Sequence, residues 1–237
     1  MSVTSIDLST FDTKSVTNME YMFHKCNKLT SLNLSNFKTQ NVINMGFMFC
    51  DCNSLTSLDL SNFNTQNALN MENLFTNDES LKSIDLSNFD TKSVTNMKKM
   101  FLSCELLTSL ESSNFNTHSV NNMMSMFSGC KSLTSLDLNN FNTQNLTNMA
   151  FMFEGCNSLT SLDISNFKSN YLVDMEYMFS GCSSLKYIDM SGFVQELNAF
   201  ETSTLPDNCT IKINDKSNIA LKLKNKIPTS CEIVKIE

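Results

Sequence analysis

The sequence predicts an α/β solenoid, with a parallel β-sheet on one side of the coils and short helices on the other. The first observation is a 26-residue pattern that recurs without insertion or deletion. Its central phenylalanine falls at Phe11, Phe37, Phe63, Phe89, Phe115, Phe141, Phe167 and Phe193. The second is that the apolar spacing changes within each period, from the alternation of a strand to the three- and four-residue steps of a helix. A unit this small buries its apolar residues only against its neighbours, so the units must stack.

The first part of each period predicts a strand. In Leu55–Leu60 the spacing L-x-x-L-x-L places Leu58 and Leu60 on one face and Ser57 and Asp59 on the other. Strands of successive periods are expected to pair in parallel through right-handed crossovers. The resulting sheet forms the concave side of a curved solenoid.

The second part of each period predicts a helix of about three turns. In residues 94–104, Val94, Met97, Met100, Phe101 and Cys104 form one apolar stripe. A Ser or Asn precedes this segment in several periods and suits a helix N-cap. These short helices are expected on the convex side.

Residues 1–193 resemble the BspA-type leucine-rich repeat in two segments, L-x-x-L-x-L-S-x-F and MF-x-GC-x-S-L. The resemblance implies a right-handed leucine-rich-repeat horseshoe at the cell surface or outside the cell. It also implies adhesion or binding of proteins, including host-surface ligands. The chain opens directly inside the repeat and shows no basic start followed by an apolar run, so no signal peptide is visible. We therefore expect a piece of a longer protein.

The period stops after Phe193, and residues 194–237 are predicted to be a C-terminal β-α-β cap rather than a second domain. A strand is expected over Cys209–Ile213, a helix over Lys216–Asn225 and a last strand over Ile233–Ile236. A solenoid needs such a cap to cover its last apolar layer. A segment of this length would be marginally stable alone. The chain is thus one elongated domain of seven 26-residue periods and its cap.

Composition excludes several classes of function. The net charge is −7, and none of the 17 basic residues is Arg, which argues against a nucleic-acid binder. No stretch of about 20 apolar residues predicts a membrane span. With 5 Gly and 2 Pro among 237 residues, the coils must be closed by Asn, Ser and Thr. No cofactor or phosphate-binding loop is expected.

A column of cysteines suggests structural thiols. It comprises Cys26, Cys52, Cys104, Cys130, Cys156 and Cys182, and Asp78 interrupts it. Metal or redox chemistry is the alternative, but metal sites favour close Cys pairs or nearby His, and the chain has two His. Because the column ends the apolar stripe, we expect free, buried thiols. Cys50 and Cys52 are expected to point to opposite faces. A disulfide between Cys209 and Cys231 is left open as an alternative to two free thiols.

Two further sets of side chains are assigned to structure. The Met and Phe columns share one stripe, which favours a core over a Met-rich binding groove. The column Asn18, Asn44, Asn70, Asn96, Asn122 and Asn148, continued by Asp174, is expected to bond backbone groups between coils. His24 and His118 lie in different phases of the repeat and do not form a pair. The sequence therefore predicts no catalytic set and no metal site.

One acidic position recurs four residues before each central phenylalanine. We call the set the acid column: Asp7, Asn33, Asp59, Asp85, Glu111, Asp137, Asp163 and Asp189. Strand alternation points it away from the core, with like charges on adjacent strands. Either the column binds cations or a basic partner, or Ser, Thr and solvent satisfy each carboxylate.

The function expected from these features is a non-catalytic protein-binding or adhesion module. Its partner is a protein or host-surface ligand that docks on the concave strand face, and a basic partner is one option. The predicted binding residues are Ser57, Asp59, Ser83, Asp85, Ser109, Glu111, Ser135, Asp137 and Asp163. The alternative is a structural surface or filament protein that self-associates through the solenoid edges.

Overall fold

The computed structural model describes residues 3–112, 114–168, 174–193, 205–215, 228 and 230–236, and it is a parallel β-solenoid. Its strands are β1 (Ser83–Asp85), β2 (Ser109–Glu111), β3 (Ser161–Asp163), β4 (Tyr187–Asp189), β5 (Thr210–Asn214) and β6 (Glu232–Ile236). The first four lie where the sequence predicts strands. The predicted solenoid is therefore confirmed.

All strand pairs are parallel and join residues of successive coils. One sheet has the order β1-β2 and the other has the order β3-β4-β5-β6. In the first sheet Ile84 pairs with Leu110, one period later. A second ladder of parallel bridges links Asn18, Asn44, Asn70, Asn96, Asn122, Asn148 and Asp174. The bridge ladder thus joins successive coils from Asn18 to Asp174, and paired strands add a second connection where they form.

The predicted helices on the convex side are wrong, because the described residues contain no helix. In the segment predicted over 94–104, Lys99 and Ser103 have φ of 58° and 58°. This left-handed conformation every fourth residue cannot continue an α-helix. Alternate N–H groups instead donate to the following coil, as from Lys99 to Met124 O at 2.9 Å and from Phe101 to Met126 O at 2.9 Å. The segment is a ladder of turns.

Stacked apolar columns fill the interior, as predicted for Met and Phe. The second phenylalanine of each period forms a continuous stack, with ring centroids of Phe49 and Phe75 5.7 Å apart and nearly parallel, at 1°. Each such pair contributes about 0.5–1.5 kcal/mol beyond the area it buries. Met97 and Met123 are fully buried beside the stack. The ladders are core, and no Met-rich groove is left open along them.

Polar side chains close the coils, as the scarcity of Gly and Pro predicts. Thr91 is fully buried, donates to Asn116 O at 3.0 Å and accepts from Asn116 N at 2.8 Å. Asn62 donates to Leu34 O at 2.9 Å and to Phe37 O at 3.0 Å in the preceding coil. The same threonine bond recurs at Thr13, Thr39, Thr65, Thr117 and Thr143.

The predicted C-terminal cap is described in part. Strands β5 and β6 continue the sheet of β3 and β4, close to the two predicted strands. The predicted helix Lys216–Asn225 lies outside the described residues, and the division at residue 193 stays a prediction. Cys209 and Cys231 are both free thiols, so the optional disulfide is not formed.

Candidate functional site

The nine predicted binding residues lie together on the outward side of the strand segments, which we call the strand face. Every one of them is exposed. Register brings them into rows, since Ser83 pairs with Ser109 and Asp85 pairs with Glu111 in the parallel sheet. Adjacent strands lie about 4.8 Å apart. The strand face is therefore a polar surface with a line of acids along the stack.

Each aspartate of the acid column accepts a hydrogen bond from the backbone N–H two residues later. Asp59 Oδ1 accepts from Ser61 N at 3.0 Å, and Asp85 Oδ1 accepts from Ser87 N at 2.9 Å. Asn33 makes the same bond with its amide oxygen, to Ser35 N at 3.1 Å. The column therefore turns the chain after each strand segment. This partner lies in the same coil, whereas the sequence suggested Ser and Thr of adjacent strands.

Hydrogen bonds favour the ionised form of two of these exposed carboxylates. Bonds from the hydroxyl and the N–H of Ser61 lower the pKa of Asp59, and those of Ser87 lower the pKa of Asp85. The turn bond is made by Oδ1 in both residues. Because Asp59 and Asp85 are exposed, their carboxylates present negative charge at the surface.

The acid column ends in an ion pair at β4 and β5. Asp189 is 5% exposed and accepts from Lys212 Nζ at 2.6 Å and from the Ser191 hydroxyl at 2.6 Å. Burial opposes ionisation, but these bonds outweigh it and lower the pKa of Asp189. The last acid of the column is thus neutralised, unlike the exposed ones before it.

The cysteine column consists of free thiols, as predicted. The thiols of Cys104 and Cys130 donate to the carbonyls of Phe75 and Phe101, at 3.1 and 3.2 Å. Burial raises the pKa of Cys130 to about 12. A thiol that stays protonated and covered is a poor nucleophile. These side chains are structural, with Cys26 at the first coil only partly buried.

Asp78, which interrupts the cysteine column, is a buried acid. It is 1% exposed and accepts from Cys52 N at 2.9 Å. Burial, reinforced by the charge of Asp51, raises the pKa of Asp78 well above its ordinary value, although the bond from Cys52 opposes this. Asp78 therefore occupies a position that holds a thiol in the other coils, and it forms no ion pair with any residue that the structure describes.

Four aromatic side chains of the turn ladder form two stacked pairs. The rings of Tyr21 and Phe47 are 4.7 Å apart, and those of Phe151 and Tyr177 are 5.2 Å apart. Tyr21 is half exposed. These four residues have positive φ, so their side chains leave the turn ladder on the outer side.

One group of chemically active side chains was missed by the sequence analysis. Ligand atoms of His24, Cys50 and Asp51 all lie within 4.8 Å of one another. His24 was compared only with His118, and Cys50 only with Cys52. The 26-residue register carries the signal, because Cys50 stands one period after His24 and Asp51 follows it. The structure brings His24 together with that coil and not with His118.

In the part of the chain that the structure describes, no helix combines the length and apolar character needed to cross a membrane.

A comparison with family models gives two matches to one family, over residues 1–110 and 70–193. Their overlap fits a unit that repeats along the chain. No curated protein matches the sequence. Because the matches cover the whole periodic part and most of the chain, the protein belongs to the family described as "Mycoplasma protein of unknown function, DUF285".

Proposed function

We propose that this chain is a non-catalytic protein-binding module whose strand face docks a polar, basic partner. The supporting observation is the choice of acids in the acid column. Asn33 shows that an amide closes the turn equally well, yet seven of the eight positions hold Asp or Glu. Turn formation alone therefore does not account for the charge. A row of fixed carboxylates on an exposed surface suits Lys-rich protein segments.

Pre-organisation adds to the argument. The turn bond fixes one oxygen of each aspartate, as between Asp163 and Ser165 N at 2.9 Å. A side chain that is already held loses little rotamer freedom when a partner binds. The polar character of the strand face suits a protein surface better than a small molecule, which prefers an apolar concavity.

The cell-surface setting belongs to the same proposal. The repeat resembles the BspA-type leucine-rich repeat, and we place the chain with surface proteins of that type, acting at the cell surface or outside the cell. The resemblance of the 26-residue unit is what supports this placement. Adhesion to a host-surface ligand is the role that follows from it.

The experiment neutralises the strand face without breaking its turns. One variant combines Asp59→Asn, Asp85→Asn, Glu111→Gln and Asp137→Asn. A matched control combines Asp12→Asn, Asp90→Asn, Glu20→Gln and Glu176→Gln, which removes the same charge from other positions. We expect a Lys-rich peptide to bind the unchanged chain and the control, measured by calorimetry, and to lose binding to the strand-face variant.

Two results would contradict the proposal. One is equal binding of the peptide to both variants, which would reduce the interaction to net charge. The other is no binding to the unchanged chain at low salt, where electrostatic attraction is strongest.

Self-association is a second candidate function. Ile43 and Leu69, which occupy the same position of successive coils, are apolar side chains that are each 45% exposed. A second copy of the chain can cover these side chains. Light scattering across protein concentration separates the candidates: a pure binding module stays monomeric, and a filament protein gains mass.

A further inference from the structure

We propose that His24, Cys50 and Asp51 form a binding site for a thiophilic divalent transition-metal ion such as Zn²⁺. The three side chains offer an imidazole nitrogen, a thiolate sulfur and a carboxylate oxygen. Their ligand atoms lie within 4.8 Å of one another. This site is independent of the strand face and of the function proposed for it.

The distances are close to those of a bound ion. Metal–ligand bonds of about 2.0–2.3 Å in tetrahedral geometry place donor atoms roughly 3.4–3.6 Å apart. His24 Nδ1 and Asp51 Oδ2 are 3.9 Å apart, and an ion must also replace the contact of His24 Nδ1 with Cys50 O at 3.2 Å. Because the ligand atoms lie within 4.8 Å of one another, side-chain movements of about 1 Å close the site. Water completes the fourth position, as in open zinc sites.

The repeat itself builds the site from two adjacent coils. His24 and Cys50 occupy the same position of successive periods, and Lys25 N donates to Cys50 O at 2.8 Å. This bond fixes the two coils at the height of the site. Asp51 itself has a left-handed backbone conformation, with φ of 63°, and this conformation sets the direction of its side chain. The ligands thus belong to a rigid frame rather than to separate loops.

Neighbouring side chains hold the ligands in place. The His24 ring lies edge-on to Tyr21, with centroids 5.4 Å apart, and edge-on to Phe47 at 6.3 Å. Asn77 Nδ2 donates to Asp51 Oδ1 at 2.7 Å, which leaves Oδ2 facing His24. Such supporting contacts orient the first ligands of metal sites.

Burial gives the site an inner and an outer side. Cys50 is 4% exposed, whereas the side chains of His24 and Asp51 are each 25% exposed. An ion therefore reaches the imidazole and carboxylate from solvent and binds the thiol behind them. The site is unlike the cysteine column, whose thiols bond to main-chain carbonyls.

The thiol selects the class of ion. Burial, with the charges of Asp51 and Asp78, raises the pKa of Cys50 to about 12. An ion must displace the thiol proton, and ions with high affinity for sulfur and nitrogen do so. Mg²⁺ and Ca²⁺, which prefer oxygen ligands, are expected not to bind here.

The test measures binding of Zn²⁺ and Co²⁺ to the metal-free chain in a phosphine reductant, which keeps the nine cysteines reduced. We expect one Zn²⁺ per chain by calorimetry and a thiolate-to-cobalt charge-transfer band in the near ultraviolet. His24→Gln, Cys50→Ser and Asp51→Asn should each weaken Zn²⁺ binding at least about tenfold. His24→Gln and Asp51→Asn alter side chains that are partly exposed, so they test the site even where Cys50→Ser unfolds the chain.

Matched controls separate this site from other thiols and imidazoles. His118→Gln changes the other, exposed histidine, and Cys130→Ser changes a thiol of the cysteine column. Both should bind Zn²⁺ as the unchanged chain does. The proposal is overturned if the unchanged chain binds no Zn²⁺ at pH 8. It is equally overturned if none of the three site variants lowers the affinity.

Discussion

Two columns of side chains make the same turn on different sides of the coil. In the acid column, the carboxylate of Asp85 accepts a hydrogen bond from the N–H of Ser87, two residues later. In the asparagine column, Asn70 Oδ1 accepts from Glu72 N at 3.1 Å in the same way. The asparagine column comprises Asn18, Asn44, Asn70, Asn96, Asn122, Asn148 and Asp174. The acid column is exposed over the strand face, whereas the asparagine column is half-buried from Asn44 to Asn148.

The difference shows how solvent decides between an acid and an amide for one geometry. A half-buried position penalises a charge, and its amide NH₂ finds a partner, as between Asn70 Nδ2 and Asn44 Oδ1 at 3.0 Å. An exposed position tolerates either residue. Stability therefore does not require acids on the strand face, whereas the amide of Asn70 bonds to the neighbouring coil.

The largest expected effect tests the interior side of this comparison. Thr91→Val removes a hydroxyl that both donates to and accepts from Asn116 in the next coil. Leaving two part-buried backbone groups of Asn116 without partners should lower the free energy of unfolding by about 2–4 kcal/mol. Thr108→Val, at an exposed threonine that bonds to Lys82 O at 3.1 Å, should cost no more than about 0.5 kcal/mol. Urea denaturation compares the two, and equal losses would refute the distinction.

The next prediction exchanges the residue types between the columns. Asn70→Asp replaces the NH₂ group that donates to Asn44 Oδ1 by a charged oxygen. The amide of Asn44 cannot flip to donate instead, because its oxygen also accepts the hydrogen bond from Gly46 N at 2.9 Å. We expect a loss of about 1–3 kcal/mol at pH 7. Asn33→Asp on the strand face makes the same chemical change and should leave the denaturation midpoint unaltered. If Asn33→Asp destabilises as much as Asn70→Asp, exposure does not explain the columns.

Asp78 sharpens the comparison because it is an acid in the interior. Its pKa is raised on folding, so between about pH 4 and that raised pKa the unfolded chain ionises while the folded chain retains the proton, and stability falls. Asp78→Asn keeps an acceptor for Cys52 N and cannot ionise. It should raise the free energy of unfolding at pH 7 by about 1 kcal/mol. The gain should vanish near pH 3.5, which thermal melts at both pH values will show.

The smallest effect belongs to the strand face. Asp85→Asn keeps the bond to Ser87 N and should leave the melting temperature at pH 7 unaltered, whereas Asp85→Ala, which loses the turn, should lower it slightly. The pKa of Asp85 is lowered on folding, so its contribution is present above about pH 4 and is lost as the pH falls through the lowered value. Asp85→Asn should lack this acid-dependent part. A large loss from Asp85→Asn at pH 7 would assign the acid to stability and not to a partner.

The sequence analysis succeeded where one residue type repeats at one spacing. The central phenylalanines, the methionines and the free thiols of the cysteine column all lie where the period places them. The helix prediction failed because the spacing of three and four residues is shared by helices and by a ladder of turns. Gly129, Gly155 and Gly181, all with positive φ, mark the left-handed position that an α-helix would not allow. Asp51 and Asn77 at the same position carry the same signal.

The candidate sites divide in the same way. All nine strand-face residues were predicted from alternation, and the structure finds them exposed, since an outward position depends only on the local strand. The group of His24, Cys50 and Asp51 was missed because it joins two coils, and it emerges only when the period is used as a spatial register.

The sequence by itself determined the solenoid, its period and the residues of its core, because apolar side chains at one fixed spacing can be buried only by stacking. The tertiary structure decided how the second half of each coil is built. Backbone N–H groups that would close a helix donate to the neighbouring coil instead, as from Phe75 to Met100 O at 2.9 Å. A left-handed residue costs about 1–2 kcal/mol in isolation. The adjacent coil compensates for that cost with hydrogen bonds and stacked rings, which no single repeat contains.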